Sequence, residues 1–103
     1  MVKFLAIITL KPEFDPEETW KIWVKEHAPV SKKGLMPEVR KYTLHRVVGT
    51  LSENTKIWGV AEMLFDDAAS CQRALSRNLA RPLDEFRKRV VHVDRVILEG
   101  VDL

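Results

Sequence analysis

The segment Phe4-Leu5-Ala6-Ile7-Ile8 constrains the fold of this chain more than any other, because neither of its alternating faces is polar. Val2 to Leu10 is rich in β-branched and large apolar residues and is closed by Lys11-Pro12, which predicts a first strand buried on both sides. A strand of that kind needs cover above and below its sheet.

The rest of the chain supplies cover for one side. Asp15 is a good N-cap, Pro16 suits the first helical position and Glu18 sits three residues after the cap, so a helix is predicted from Pro16 to Ser31. Lys32-Lys33-Gly34 and Pro37 end it. Glu38 to Val48 reads as a second strand, with Tyr42, Leu44, Arg46 and Val48 on one face and Lys41, Thr43, His45 and Val47 on the other. After an exposed hairpin loop over Gly49 to Lys56, Ile57 to Phe65 reads as a third strand. It carries Trp58, Val60, Glu62 and Leu64 on one face, with Gly59 as a bulge or a close-packing position. Asp66 is placed to cap a second helix with Ala68, Cys71, Leu75 and Leu79 along its apolar stripe. Pro82 breaks that helix before a short continuation through Leu83 and Phe86. Val91 to Val101 is the last strand.

The order βαββαβ predicts an α+β, ferredoxin-like sandwich with a four-stranded antiparallel sheet. Its 103 residues suit one domain spanning 1–103, with a single core. Two helices cover one face of such a sheet, so the other is predicted to meet the same face of a second copy in a homodimer.

Seventeen Lys and Arg against fifteen Asp and Glu leave a charge of +2, too small to predict attraction to nucleic acid or a membrane. Arg73, Arg77 and Arg81 form a row at helical spacing, read as a solvated face because no aromatic residues interleave with it; a site for an anionic substrate is the alternative. A lone Cys71 forms no internal disulfide, and the early apolar run ends without a small-residue cleavage site, which predicts no signal peptide, no membrane span and a cytoplasmic setting.

Candidate chemistry gathers on the first helix. Trp20, Trp23, Val24 and His27 follow the i, i+3, i+4, i+7 spacing of a core-facing stripe, which turns an imidazole towards an aromatic interior. His27 is either a hydrogen-bonded core residue or a general acid/base. Tyr42, the only tyrosine, is either packed or placed to orient a carbonyl or enolate oxygen. Trp20, Trp23 and Trp58 suit the core or the flat walls of a pocket for a hydrophobic or aromatic metabolite. Arg46 and Glu62 either pair with each other or contact substrate. Cys71 reads as core, and no metal-ligand spacing, phosphate loop or dinucleotide fingerprint is present, so no metal or organic cofactor is expected.

Pro12 with Asp15-Pro16-Glu17-Glu18, Trp23 with His27-Ala28-Pro29, and Met36-Pro37 leading to Tyr42 together resemble the EthD-like branch of the dimeric α/β barrel superfamily. The similarity covers most of the chain. It implies a homodimer whose sheets join into a barrel, with a pocket between each sheet and its helices. Members include fungal polyketide dehydratases and methylmuconolactone methylisomerase, so the resemblance implies a cofactor-independent lyase or isomerase. Its functional histidine and tyrosine fall at His27 and Tyr42. Cofactor-free oxygenation of a phenol or anthrone, or non-catalytic binding of a small molecule, are the alternatives for such a barrel. Three departures set the chain apart from the methylisomerase. Met63 stands at its cysteine, no histidine lies between Gly49 and Lys56, and Glu38 replaces a glycine.

Overall fold

A computed structural model of the chain describes residues Met1 to Leu103. Strand β1 (Val2–Leu10) is followed by helix α1 (Pro16–Ile22), a π-helical turn (Trp23–His27) and α2 (Ala28–Leu35), which run on as one rod. Then come β2 (Lys41–Arg46), β3 (Gly59–Phe65), α3 (Ala68–Leu79), the short α4 (Glu85–Lys88) and β4 (Val90–Leu98). All pairings are antiparallel in the order β2-β3-β1-β4, the arrangement of a ferredoxin-like sandwich.

Strand β1 sits in the middle because it is apolar on both faces. Its even-numbered residues Val2, Phe4 and Ile8 join Ala61, Met63 and Phe65 of β3 in the core beneath the helices. On the reverse face Leu5, Ile7, Val60 and Leu64 are only half covered, and Val96 and Leu98 of β4 lie exposed beside them. Within one chain nothing packs against that face.

Several element ends differ from the sequence reading, each for a local reason. The first helix continues past Ser31 to Leu35. Gly34 has no positive φ with which to end it and instead lets α2 approach α3, where an added Cβ would lie 3.0 Å from Asn78 Oδ1. Strand β2 starts at Lys41 and ends at Arg46, leaving Val48 95% exposed in the loop. Trp58 precedes β3 and so escapes the strand alternation, turning to the helices rather than to the face of Val60 and Glu62. The cap of α3 is Asp67, whose side chain accepts the Ser70 N–H, while Asp66 takes a two-pronged bond from Arg40. Strand β4 stops at Leu98, so Val101 lies beyond it, exposed.

A π turn interrupts the predicted helix and rearranges the stripe. Ala28 N–H donates to the carbonyl of Trp23, five residues back. Pro29 explains why: inside a regular α-helix its ring would press on the carbonyl of Lys25, and the wider turn opens room for it. The extra residue rotates the following positions. The buried line runs Thr19, Trp23, Ala28, Ser31 and Leu35, its five-residue step from Trp23 to Ala28 spanning the π turn, while Val24 lies off that line at 42% exposed.

Gly59 marks a close approach and not a bulge, since the β1–β3 register is unbroken up to its pairing with Ile8. An added Cβ there would stand 2.9 Å from Cζ3 of Trp23, a ring that is 1% exposed and packed against Trp20, Trp58 and Phe86. Gly59→Ala is therefore expected to destabilise the chain by about 1–3 kcal/mol, read as a lowered midpoint in urea; an unchanged midpoint would show that Trp23 has room to move.

Candidate active site

The helices and the sheet do not close completely on one another. Between them lies a cavity of about 340 Å³ with mostly apolar walls, floored by Phe4, Ala6 and Ile8 and reached by side chains from every helical segment except α1. That volume suits a small ring compound. His27 from the π turn, Tyr42 from β2 and Trp23 all line it. The two polar residues reach the same space for different reasons. Tyr42 pairs with Met63 across β2–β3 and so shares its inward face. His27 lies on the widened turn, one position before the buried Ala28.

His27 is held by a residue that its sequence surroundings do not reveal. Its Nδ1 lies 2.5 Å from Oδ2 of Asp84, which stands between Pro82 and α4. The other oxygen of Asp84 accepts the Arg87 N–H at 2.8 Å and caps α4. Both carboxylate oxygens are thus engaged. Burial disfavours the charge on Asp84, but the Arg87 N–H and the imidazole outweigh it and hold the carboxyl below its ordinary range. With Nδ1–H donated to a carboxylate, the tautomer is assigned from this bond, and Nε2 is left with its lone pair.

Burial is the largest influence on His27 and lowers its pKa from 6.5, against the opposing pull of Asp84; nearby Arg81 and Arg87 lower it further. The imidazole is therefore neutral at pH 7 and able to accept a proton. Tyr42 is pushed the other way. Burial raises its phenol, with a hydrogen bond to Ser31 opposing, so the hydroxyl stays protonated and can donate. Ser31 is itself fixed by Asn78 Nδ2 at 3.1 Å.

The remaining sequence candidates lie outside the cavity. Trp20 and Trp58 pack edge-on at 6.1 Å and stand behind Trp23, which stacks on Phe86 at 5.2 Å and 3°. Arg46 lies 4.5 Å over the Trp20 ring and 3.3 Å from Glu17, while Glu62 is on the reverse face of the sheet with Lys3 at 3.4 Å and His45 at 3.7 Å. Arg46 and Glu62 do not meet. Of the arginine row, Arg73 and Arg77 serve Glu38, and Arg81 reaches inward to line the cavity beside Asp84. Cys71 is fully buried, and burial raises its thiol. No three or more metal-capable side chains converge anywhere in the chain, and no helix is long and apolar enough to cross a membrane.

No protein-family model matches the sequence, and no curated protein matches it. Solved structures do. An ethyl tert-butyl ether D (EthD) family protein from Bacillus halodurans superposes with a TM-score of 0.68 at 24% identity, covering 98% of this chain and 99% of that one. A DABB family protein with a ferredoxin-like fold from Mesorhizobium loti gives 0.64 at 18% identity, covering 98% and 97%. SnoaB, a cofactor-independent oxygenase from Streptomyces nogalater, gives 0.63 at 15% identity, covering 99% and 94%. The chain shares the fold of these proteins over nearly its whole length.

Two substitutions separate the duties of Asp84. Asp84→Asn keeps a capping oxygen, whereas Asp84→Ala loses it and should cost about 0.5–2 kcal/mol of stability. Both remove the carboxylate that raises the His27 pKa, so the imidazole should titrate at lower pH than in the parent chain. NMR titration of the ring protons checks this, and an unchanged or higher pKa would contradict the pairing.

Proposed function

We propose that the chain is a cofactor-independent lyase or isomerase acting on a small cyclic or aromatic carbonyl compound, with His27 as the general acid/base and Tyr42 as the oxyanion donor. The observation that supports it is the convergence on one apolar cavity of a neutral imidazole, oriented through Nδ1, and a protonated phenol. His27 Nε2 takes a proton from the carbon next to the carbonyl, giving an imidazolium and an enolate. The Tyr42 hydroxyl donates a hydrogen bond to the enolate oxygen, and Asp84 stabilises the imidazolium. Returning the proton to a different carbon completes an isomerisation; delivering it to a departing hydroxide releases water and completes a dehydration. Trp23 and Phe86 keep bulk water from the ring of the substrate. An outer groove on the far side of His27, lined also by Glu26 and Asp84, offers a route for proton exchange with solvent.

A second reading, oxygenation of a phenol or anthrone, is favoured by the likeness to SnoaB. It begins with the same proton abstraction and then consumes oxygen. Uptake at an oxygen electrode with dithranol, a small anthrone, would place the chain there. The half-covered face of Leu5, Ile7, Val60 and Leu64 supports a homodimer formed through it.

The enolisation step is testable without the natural substrate. In D2O the chain should accelerate exchange of the C1 protons of 2-tetralone, and His27→Gln should remove at least a hundredfold of that acceleration while leaving the fold intact by circular dichroism. The rate should fall on the acid side as His27 becomes protonated, with its midpoint below 6.5 because burial lowers that pKa. Equal exchange in parent and variant would overturn the assignment, and tight binding without acceleration would make the chain a binding protein. For the dimer, light scattering should give twice 11.9 kDa, and Ile7→Lys should return it to a monomer; a monomeric parent chain would refute the interface.

A further inference from the structure

The cavity has a charge that the proton-transfer chemistry does not use. Its lining includes Arg81, Arg87 and Arg95 and not one carboxylate. The nearest acid, Asp84, is already committed to the His27 imidazole, the Arg87 N–H and, at 3.5 Å, the Arg81 guanidinium. Arg81 also donates to Asn78 Oδ1 at 2.8 Å. Arg87 meets only the carbonyls of Arg81 and Pro82 through Nη1. Arg95 has no hydrogen-bond or ion-pair partner in the chain.

The place of Arg95 is set by strand register. It pairs with Ala6 across β1–β4, and Ala6 is on the cavity floor, so Arg95 points to the helix side together with Val93 and away from the reverse face of the sheet. The other charged groups of β4 pair with each other: His92 Nε2 lies 2.8 Å from Asp94 Oδ1. A guanidinium on the inner side of an edge strand, at the exposed rim of an apolar cavity and without a partner, is arranged to receive an anion from outside.

We infer that the ligand of this cavity is a carboxylate-bearing ring compound, its ring seated among Phe86, Tyr42 and Trp23 and its carboxylate held at the rim by Arg95 with support from Arg87. This rests on the proposed function only for the identity of the cavity; the charge of the ligand is independent of which proton moves. The guanidinium fork fits a planar carboxylate with two parallel hydrogen bonds, and the low-dielectric wall behind it strengthens the contact. A neutral ring of the same shape fills the apolar space and leaves the rim arginines to water.

The test uses two isosteric and unreactive probes, 2-naphthoate and 2-naphthamide, titrated into the full chain by calorimetry. Naphthoate should bind at least tenfold more tightly, and the preference should shrink as sodium chloride is raised from 20 mM to about 0.5 M. Arg95→Gln should remove most of the preference while leaving naphthamide affinity within about twofold, and Arg73→Gln, on the outer face of α3, should leave the preference intact. Equal affinities, no binding of either probe at millimolar concentration, or a preference that survives both Arg95→Gln and Arg87→Gln would overturn the proposal. Neither probe enolises, so the charge preference can fail while 2-tetralone exchange succeeds, and the reverse.

Discussion

The site depends on how α4 is fastened to the π turn. Phe86 stacks flat on Trp23 and lies 4.8 Å from the His27 ring, while Asp84 reaches across 57 positions of sequence to the imidazole. One four-residue helix and its N-cap therefore supply both the apolar cover of Trp23 and the acceptor that orients His27. Each aromatic contact contributes about 0.5–1.5 kcal/mol beyond the area it buries. A helix this short has little stability of its own. Its position comes from these contacts, from the Asp84 cap and from the buried Arg89 at its end, which bonds Thr19 and Glu85.

What the sequence makes legible follows from periodicity. The two apolar faces of Val2–Leu10, the alternation of Tyr42 and Leu44, and the capped start of α1 at Asp15 are local patterns, and each constrains the element that contains it. The meeting of His27 and Tyr42 on one cavity follows from those elements once the βαββαβ order is read. Asp84 was out of reach because its partner is remote and its neighbours Pro82 and Leu83 carry no periodic signal. Arg95 was out of reach for another reason. Alternation puts it on the face of Val93 and Ile97, but that this face turns to the helices is fixed by long-range pairing, Arg95 standing opposite Ala6 across β1–β4. The π turn did have a local signal in Pro29, which sits inside a helical pattern where a regular helix would lack room for its ring.

The same face analysis explains why the tryptophans divide. Trp23 is on the buried line and touches the cavity, whereas Trp20 and Trp58 form the layer behind it. That layer packs against Trp23, which in turn stacks on Phe86 and lies close over Gly59. For the proposed chemistry such packing would matter, because preplaced donors and bases lose little to reorganisation during a proton transfer.

The rim arginines and the imidazole are electrically linked. With no ligand bound, Arg81 and Arg87 add to burial in lowering the His27 pKa and keep the base unprotonated. A carboxylate at the rim would offset that positive field and raise the pKa, so the imidazole would become a stronger base at the moment a substrate arrives. A neutral occupant would do nothing of the kind. Arg87 is the link between recognition and basicity: it is one of the cations that would hold an anionic ring compound and one of those that lower the His27 pKa.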